Sequence, residues 1–194
     1  MILTFIFKIH GRILGFCQHL TRRIKILKWM FLYCNRAHID PNFSFGRNCF
    51  FYFDATHSSI HISKAVNVRS NFEIRSGNQG KLVIGENVFF NNNCSLHCLS
   101  EITIGNNNQF GEGVKMYDHN HRYKEKNNLI SEQGYSLGTI RIGNNCWIGS
   151  NVIILKDVEI GDDVIIGAGC IIHKSVQSGT MVINNQSLQS TKYQ

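Results

Sequence analysis

The chain has 194 residues, 17 glycines against a single proline (Pro41), and a formal net charge of +7, a size that suits one domain with a real core plus at most a short appendage. The charge is local: Lys8, Arg12, Arg22, Arg23, Lys25, Lys28 and Arg36 precede the first acidic residue, Asp40, and from residue 37 onward 13 Lys and Arg face 13 Asp and Glu. A neutral body argues against a nucleic-acid-binding protein, and seven cysteines without a C-x-x-C pair predict reduced thiols in a cytoplasmic setting.

Residues 1–36 form the first predicted unit. Phe5, Ile6, Ile9, Ile13 and Phe16 are interleaved with Lys8, Arg12, Arg22 and Arg23, the composition of a basic amphipathic helix. The apolar opening Met1–Phe7 is interrupted by Lys8, His10 and Arg12, well short of the roughly 20 apolar residues a membrane span requires. Such a helix lies on an anionic bilayer through residues 1–33. It also suits the open end of a solenoid, which needs a cover. The expected localisation is cytoplasmic, with peripheral contact at the inner membrane.

A second unit runs over 37–183, ahead of a tail at 184–194. Ile142, Ile148, Ile154, Ile160, Ile166 and Ile172 recur every six residues without a break. Four places after each stands a small or β-branched residue: Cys146, Val152, Val158, Val164, Cys170, Val176. The same grammar occurs upstream in Ile84/Val88, Phe90/Cys94, Ile104 and Phe110/Val114, and more loosely in Phe45/Cys49, Ile62/Val66 and Val68/Phe72.

A period of six fits neither a helix nor plain alternation. It fits an all-β, parallel β-helix, a coil of three flat faces with about eighteen residues per turn. The isoleucine points inward, the fourth following residue fills the corner, and Asn, Asp and Gly take positive-φ turn positions. Coils are expected near 39–56, 62–79, 84–101, 104–121, 142–159 and 160–177. Cysteines 49, 94, 146 and 170 are then small core fillers.

The period breaks once, after the histidine-rich MYDHNH at 116–121, in a polar stretch near 122–139. A long loop thrown out of a solenoid is usually functional. Tyr123, Asn127, Asn128, Glu132 and Tyr135 within it supply the hydrogen-bonding and stacking groups a sugar needs.

The segment IRIGNNCWIGSNVIILKDVEIGDDVIIGAGCIIHKSV, with DHNH ahead of a loop, resembles the hexapeptide-repeat acetyltransferases. Within them it is most similar to the galactoside and maltose acetyltransferase branch and to the capsular or lipopolysaccharide O-acetyltransferases. The resemblance covers about residues 60–180. It implies a left-handed parallel β-helix, a hand that the periodicity alone does not choose. It also implies a homotrimer with active sites between subunits, acetyl-CoA as donor, and no metal. By motif position it implies His119 as the catalytic histidine, Trp147 as the tryptophan of NNxWIG and Ser150 as the serine three places on. Asn91 matches an acceptor-contacting asparagine, and Glu132 a loop carboxylate that supports the histidine. Ala168, Gly169, His173 and Lys174 match a segment along the CoA arm. The family usually ends its helix on a GNPA-type turn and a basic residue, whereas this chain reads NNQSLQ at 184–189, which puts the usual CoA-phosphate contacts there in question.

The residue chemistry suits acyl transfer. A sugar hydroxyl attacks a thioester slowly unless a base takes its proton, and histidine titrates near working pH. His119 is the expected base, Ser150 or a nearby backbone N–H the oxyanion donor, and Trp147 a flat wall for pantetheine or sugar. Lys174 is a point charge for CoA phosphate, and His121 and Tyr135 face the acceptor. Trp147 equally suits packing at a subunit seam, and His173 a polar outer face. The expected function is acetyl-CoA-dependent O-acetylation of a sugar hydroxyl in surface polysaccharide biosynthesis. The alternative within the fold is a xenobiotic or nucleotide-sugar N-acetyltransferase. A γ-class carbonic anhydrase needs three histidines on one zinc, and His97, His119 and His121 lack its H-x4-H pair. A purely structural β-helix would show flat threonine arrays, which the sequence does not contain.

Overall fold

The computed structural model describes residues 24, 26–28, 31, 36–54, 57–77 and 79–185. Its coils are ordered by the inward residues. Ile39, Ile62, Ile84, Ile104, Ile142 and Ile160 stand in parallel register along a first sheet. Phe45, Val68, Phe90, Phe110, Ile148, Ile166 and Val182 do so along a second. Phe51, Ile74, Leu96, Met116, Ile154 and Ile172 do so along a third. The result is a β-solenoid whose three sheets have six, seven and six strands. Period-two alternation sends every second side chain into the stack, where Phe72, Phe90 and Phe110 follow one another at ring separations of 5.0 and 4.4 Å. Cys94, Cys98, Cys146 and Cys170 are buried as free thiols, while Cys49 is only half-buried.

Two of the three corners are built the same way in each coil. Three residues after the inward residue of the first sheet, φ is positive at Ala65, Asn87, Asn107, Asn145 and Asp163. Three residues after that of the second sheet, it is positive at Asn48, Asn71, Asn93, Gly113, Asn151 and Gly169. Asn and Asp tolerate this region because their short side chains bond locally. Here those side chains also bond one another from coil to coil. Asn87 Nδ2 donates to Asn107 Oδ1 at 2.9 Å, Asn71 Nδ2 to Asn93 Oδ1 at 2.9 Å, and Asn145 Nδ2 to Asp163 Oδ1 at 2.7 Å. Gly111 is required for a different reason: a Cβ there would lie 2.6 Å from the Ser150 backbone nitrogen.

The third corner absorbs every irregularity. Register partners in the first sheet lie 23 residues apart from Ile39 to Ile62, 22 to Ile84 and 20 to Ile104. Only from Ile142 to Ile160 is the spacing 18. Six residues always separate the first sheet from the second and the second from the third, so the surplus falls between third and first. The eighteen-residue turn thus describes the coil beginning at Ile142, and the earlier coils carry insertions at one edge. The long loop leaves from that same edge, yet Ile104 and Ile142 remain in register across it.

Asn108 secures that crossing. It occupies the corner place held by Val66, Val88, Cys146 and Val164 elsewhere and is fully buried. Its Nδ2 donates to Gly143 O at 2.8 Å and its Oδ1 accepts from Cys146 N at 2.8 Å, which satisfies the buried amide.

Of the predicted N-terminal unit, Ile24, Ile26–Lys28 and Phe31 are helical. Ile26 is buried within the core cluster of the coils, while Ile24, Leu27 and Phe31 are exposed. The rest of that unit, and the tail beyond residue 185, lie outside the described residues. No described helix is long and apolar enough to cross a membrane.

Candidate active site

The inward alternation of the third sheet reaches Met116 and then, two residues on, Asp118. The corresponding places in the coils below are Ser76 and Cys98, which pair with each other in register. Asp118 is therefore carried inside and is fully buried. A buried carboxylate is costly unless its oxygens are satisfied, and these are. Oδ1 accepts from Leu99 N at 2.9 Å and Oδ2 from Ser100 N at 2.7 Å, both from the corner of the preceding coil. Oδ1 also meets His119 Nδ1 at 2.9 Å.

With a carboxylate on Nδ1, the ring proton sits there and Nε2 keeps a free lone pair. The His119 side chain is 15% exposed, so this edge is reachable but largely shielded. Burial, and next the Asp118 charge, push the Cys98 thiol well above its ordinary range, which leaves it protonated and inert.

His119–His121 and Tyr135–Leu137 form an antiparallel hairpin at the base of the loop, pairing His119 with Leu137 and His121 with Tyr135. The Tyr135 ring touches both histidines, edge-on to His119 at 5.1 Å and tilted to His121 at 4.6 Å. The loop beyond is closed by Gln133, a buried amide. Its Nε2 donates to Glu125 O and Asn128 O at 3.0 and 2.9 Å, and its Oε1 accepts from Glu125 N at 3.1 Å. On the preceding coil, His97 stands in register with Tyr117 and its ring lies edge-on to it at 5.1 Å. Burial lowers the His97 pKa; the Glu73 and Asp118 charges oppose it, while Arg75 and His119 push the same way as burial.

His119, His121 and Tyr135 are thus brought together. Glu132 is not drawn to them: it ends the exposed turn Ile130–Glu132 and its side chain bonds no described residue. The carboxylate on His119 is Asp118. The signal that finds it is the two-residue alternation continued from Met116.

Most of the remaining candidates follow a different edge. Asn91, Ser150, Ala168 and Gly169 lie at the corner from second to third sheet, in the coils beginning at Ile84, Ile142 and Ile160. Asn91 Oδ1 accepts from Asn92 N at 2.9 Å, and Ser150 O accepts from Gly169 N at 2.8 Å. Gly169 has φ of 72°. Trp147 projects from the outer face of the second sheet, between Gln109 and Ile165 in register, and is 58% exposed. His173 and Lys174 are exposed just past Ile171–Ile172. Within one chain Asn91, Ser150, Ala168 and Gly169 flank the third sheet on the edge opposite the histidine cluster, whereas His173 and Lys174 leave the third sheet on the cluster's own edge, two coils on. Among the described residues, no three His, Cys, Asp or Glu converge as metal ligands.

Residues 139–174 match the family model for the bacterial transferase hexapeptide (six repeats). Among solved structures, the chain is similar to the hexapeptide-repeat containing acetyltransferase from Vibrio cholerae. They share 19% identity over 90% of each chain, at a TM-score of 0.53. A maltose O-acetyltransferase from Clostridium difficile is 23% identical over 86% of this chain and 83% of its own, at 0.47. A galactoside acetyltransferase in complex with coenzyme A is 22% identical over 86% and 78%, at 0.49. Residues 139–174 are therefore bacterial transferase hexapeptide repeats, and the chain takes the coiled fold of the hexapeptide-repeat acetyltransferases.

Proposed function

We propose that the chain transfers an acetyl group from acetyl-CoA to a sugar hydroxyl of a surface polysaccharide or its precursor, with His119 as general base. The observation that carries this reading is the buried Asp118 carboxylate on His119 Nδ1. It fixes the tautomer whose Nε2 can accept a proton, and it stabilises the imidazolium that then forms. As the hydroxyl oxygen bonds to the thioester carbonyl carbon, its proton passes to Nε2. The Ser150 hydroxyl is the donor for the tetrahedral oxyanion. Collapse breaks the C–S bond, and His119 returns the proton to the departing CoA thiolate. General-base assistance of this kind is typically worth about 10²–10⁴-fold.

The separation of His119 from Asn91, Ser150, Ala168 and Gly169 across the third sheet of one chain supports a site shared between subunits of a homotrimer. In this reading one subunit contributes Asp118, His119, His121 and Tyr135. Its neighbour contributes Trp147, Ser150, Ala168, Gly169, His173 and Lys174 along the donor, while Asn91 meets the acceptor. The exposed Ile24, Leu27 and Phe31, in a segment that carries the chain's excess basic charge, support peripheral contact with an anionic membrane. There the enzyme meets lipid-linked glycan intermediates.

The test is acetyl-CoA consumption by the purified protein against sugars, nucleotide-sugars and chloramphenicol-like drugs. Sugar-dependent release of CoA is expected, and His119→Ala should cut it by about a hundredfold or more with acetyl-CoA affinity retained. Mixing His119→Ala with Trp147→Ala subunits should restore part of the activity. Rapid acetylation of a drug or an amino-sugar nucleotide, with no sugar O-acetylation, would overturn the reading.

A further inference from the structure

The hairpin has a second face. His119, His121 and Tyr135 share one side, while Asn120 and Ser136, directly opposed, point to the other. Between them and Lys156, on the corresponding corner of the next coil, lies a cleft of about 400 Å³. We propose that this cleft binds an acidic group of the acceptor, so that the saccharide acetylated carries a carboxylate or a phosphate. The inference deepens the sugar O-acetyltransferase reading and rests on it.

Four observations converge. Arg122, Lys124 and Lys156 line the cleft against a single carboxylate, Glu125. Lys156 is held by Asp157 beside it, and Glu125 is turned to its own loop, accepting from Asn128 Nδ2 at 2.7 Å. Arg122 and Lys124 form no ion pair with any described residue, so the available charge is theirs. Such donors make charge-assisted bonds to carboxylate or phosphate.

Tyr123 also lines the cleft. Its ring is 68% exposed and stacks on no described aromatic, a platform for the apolar face of a pyranose. A ring platform beside two unpaired cations suits an acidic sugar better than a bare anion.

The cleft is also pre-formed. The three Gln133 bonds and the Arg122 N to Gly134 O bond at 3.0 Å hold the loop, so little ordering cost opposes binding. Finally, the cleft borders the histidine cluster. His121 forms part of its wall and touches Tyr135, whose ring meets His119. A saccharide anchored through its acidic group can pass His121 and present a hydroxyl to His119.

The experiment measures binding without turnover, by calorimetry or ligand-observed NMR on the full-length protein at low salt. The probes are glucuronic acid, glucose 1-phosphate and uncharged methyl glucoside. Wild type is compared with the Arg122→Gln/Lys124→Gln double variant, both sites being exposed and outside the core. One of the anionic sugars should bind at least about tenfold more tightly than methyl glucoside, and the double variant should lose about tenfold for it. Which anionic sugar binds more tightly tells a carboxylated from a phosphorylated acceptor. Acetyl-CoA affinity should not change.

Equal binding of charged and neutral sugars would overturn the proposal, as would a double variant that binds the acidic sugar like wild type. A loss confined to acetyl-CoA would overturn it too, assigning the cations to the donor's phosphates. Failure of acetyl transfer with anion binding intact would instead sink the O-acetyltransferase reading. Sugar O-acetylation without anion binding would sink the cleft proposal alone.

Discussion

Replacing Asp118 by asparagine changes one oxygen to an NH2 group and leaves the shape almost intact, yet each way of placing that group meets a donor. Against Ser100 N, now 2.7 Å from Oδ2, it sets donor against donor and leaves a buried backbone N–H unpaired, at a cost of about 1–3 kcal/mol. His119 then keeps a neutral carbonyl where a carboxylate stood. In place of Oδ1 it faces both Leu99 N and His119 Nδ1. Nδ1 must then accept, and the ring proton moves to Nε2, the nitrogen that has to take the hydroxyl proton. Either arrangement removes the charge that stabilises imidazolium. Turnover by Asp118→Asn should therefore fall by about 10²–10⁴-fold, the range of general-base assistance, with the acetyl-CoA dissociation constant within about twofold of wild type. The assay is CoA thiol release on the acceptor found in the screen, with circular dichroism to check folding. Because Asp118 acts only through His119, the Asp118→Asn/His119→Ala double variant should be no slower than His119→Ala alone. A folded Asp118→Asn protein with near-wild-type turnover, or losses that multiply in the double variant, refutes the positioning role.

Three further outcomes test the fold that carries the site. Ala65 is the one alanine in a left-handed corner, with φ of 57°, a conformation that costs an L-residue about 1–2 kcal/mol. Ala65→Asn should relieve much of that cost and extend the side-chain ladder to Asn87, raising stability by about 1 kcal/mol; an unchanged or lower urea midpoint counts against this account of the corners. Asn108→Ala strands Gly143 O and Cys146 N in the core and should cost about 2–4 kcal/mol, read by urea unfolding, whereas a loss under 1 kcal/mol means that another group satisfies them. Burial lowers the His97 pKa from its ordinary 6.5, so the unfolded chain binds the proton more readily. Its contribution to stability is thus complete above about pH 6.5 and is lost as pH falls toward the lower folded value. His97→Gln should flatten that acid-side slope in thermal melts run from pH 7 to 5, and an unaltered slope places the titration elsewhere.

What could be read from the chain without coordinates divides along physical lines. Ile39, Ile62, Ile84, Ile104, Ile142 and Ile160 were legible because an inward residue and a left-handed corner repeat at fixed offsets. Among the described residues the longest insertion past such an offset starts after MYDHNH. Asp118 is not legible as His119's partner, because DHNH looks like the start of an exposed loop. Alternation from Met116 nonetheless carries that carboxylate inside, and a buried carboxylate must bond something. Motif position alone points to Glu132, and the turn that holds it exposed depends on how Gln133 folds the loop back on itself. The cleft needed coordinates outright, since Lys156 comes from the next coil and reaches Arg122 and Lys124 only through stacking.

What the sequence makes legible and what it hides share one cause. At two corners of each turn, ladder bonds and positive-φ residues leave no room for insertion, and those corners announce themselves in sequence. The third corner repeats no such residue, Asp157 with φ of 62° being confined to the coil that begins at Ile142, and extra residues there cost only slowly growing loop entropy. It holds the surplus residues of the early coils and then the whole segment between Asp118 and Gly138, while Ile142 resumes register with Ile104. The histidine cluster and its loop sit at that edge, where residues can be added without breaking the stack. The Asp118 side chain, bonded to Leu99 and Ser100 on that edge, ties the variable loop back to the invariant repeat.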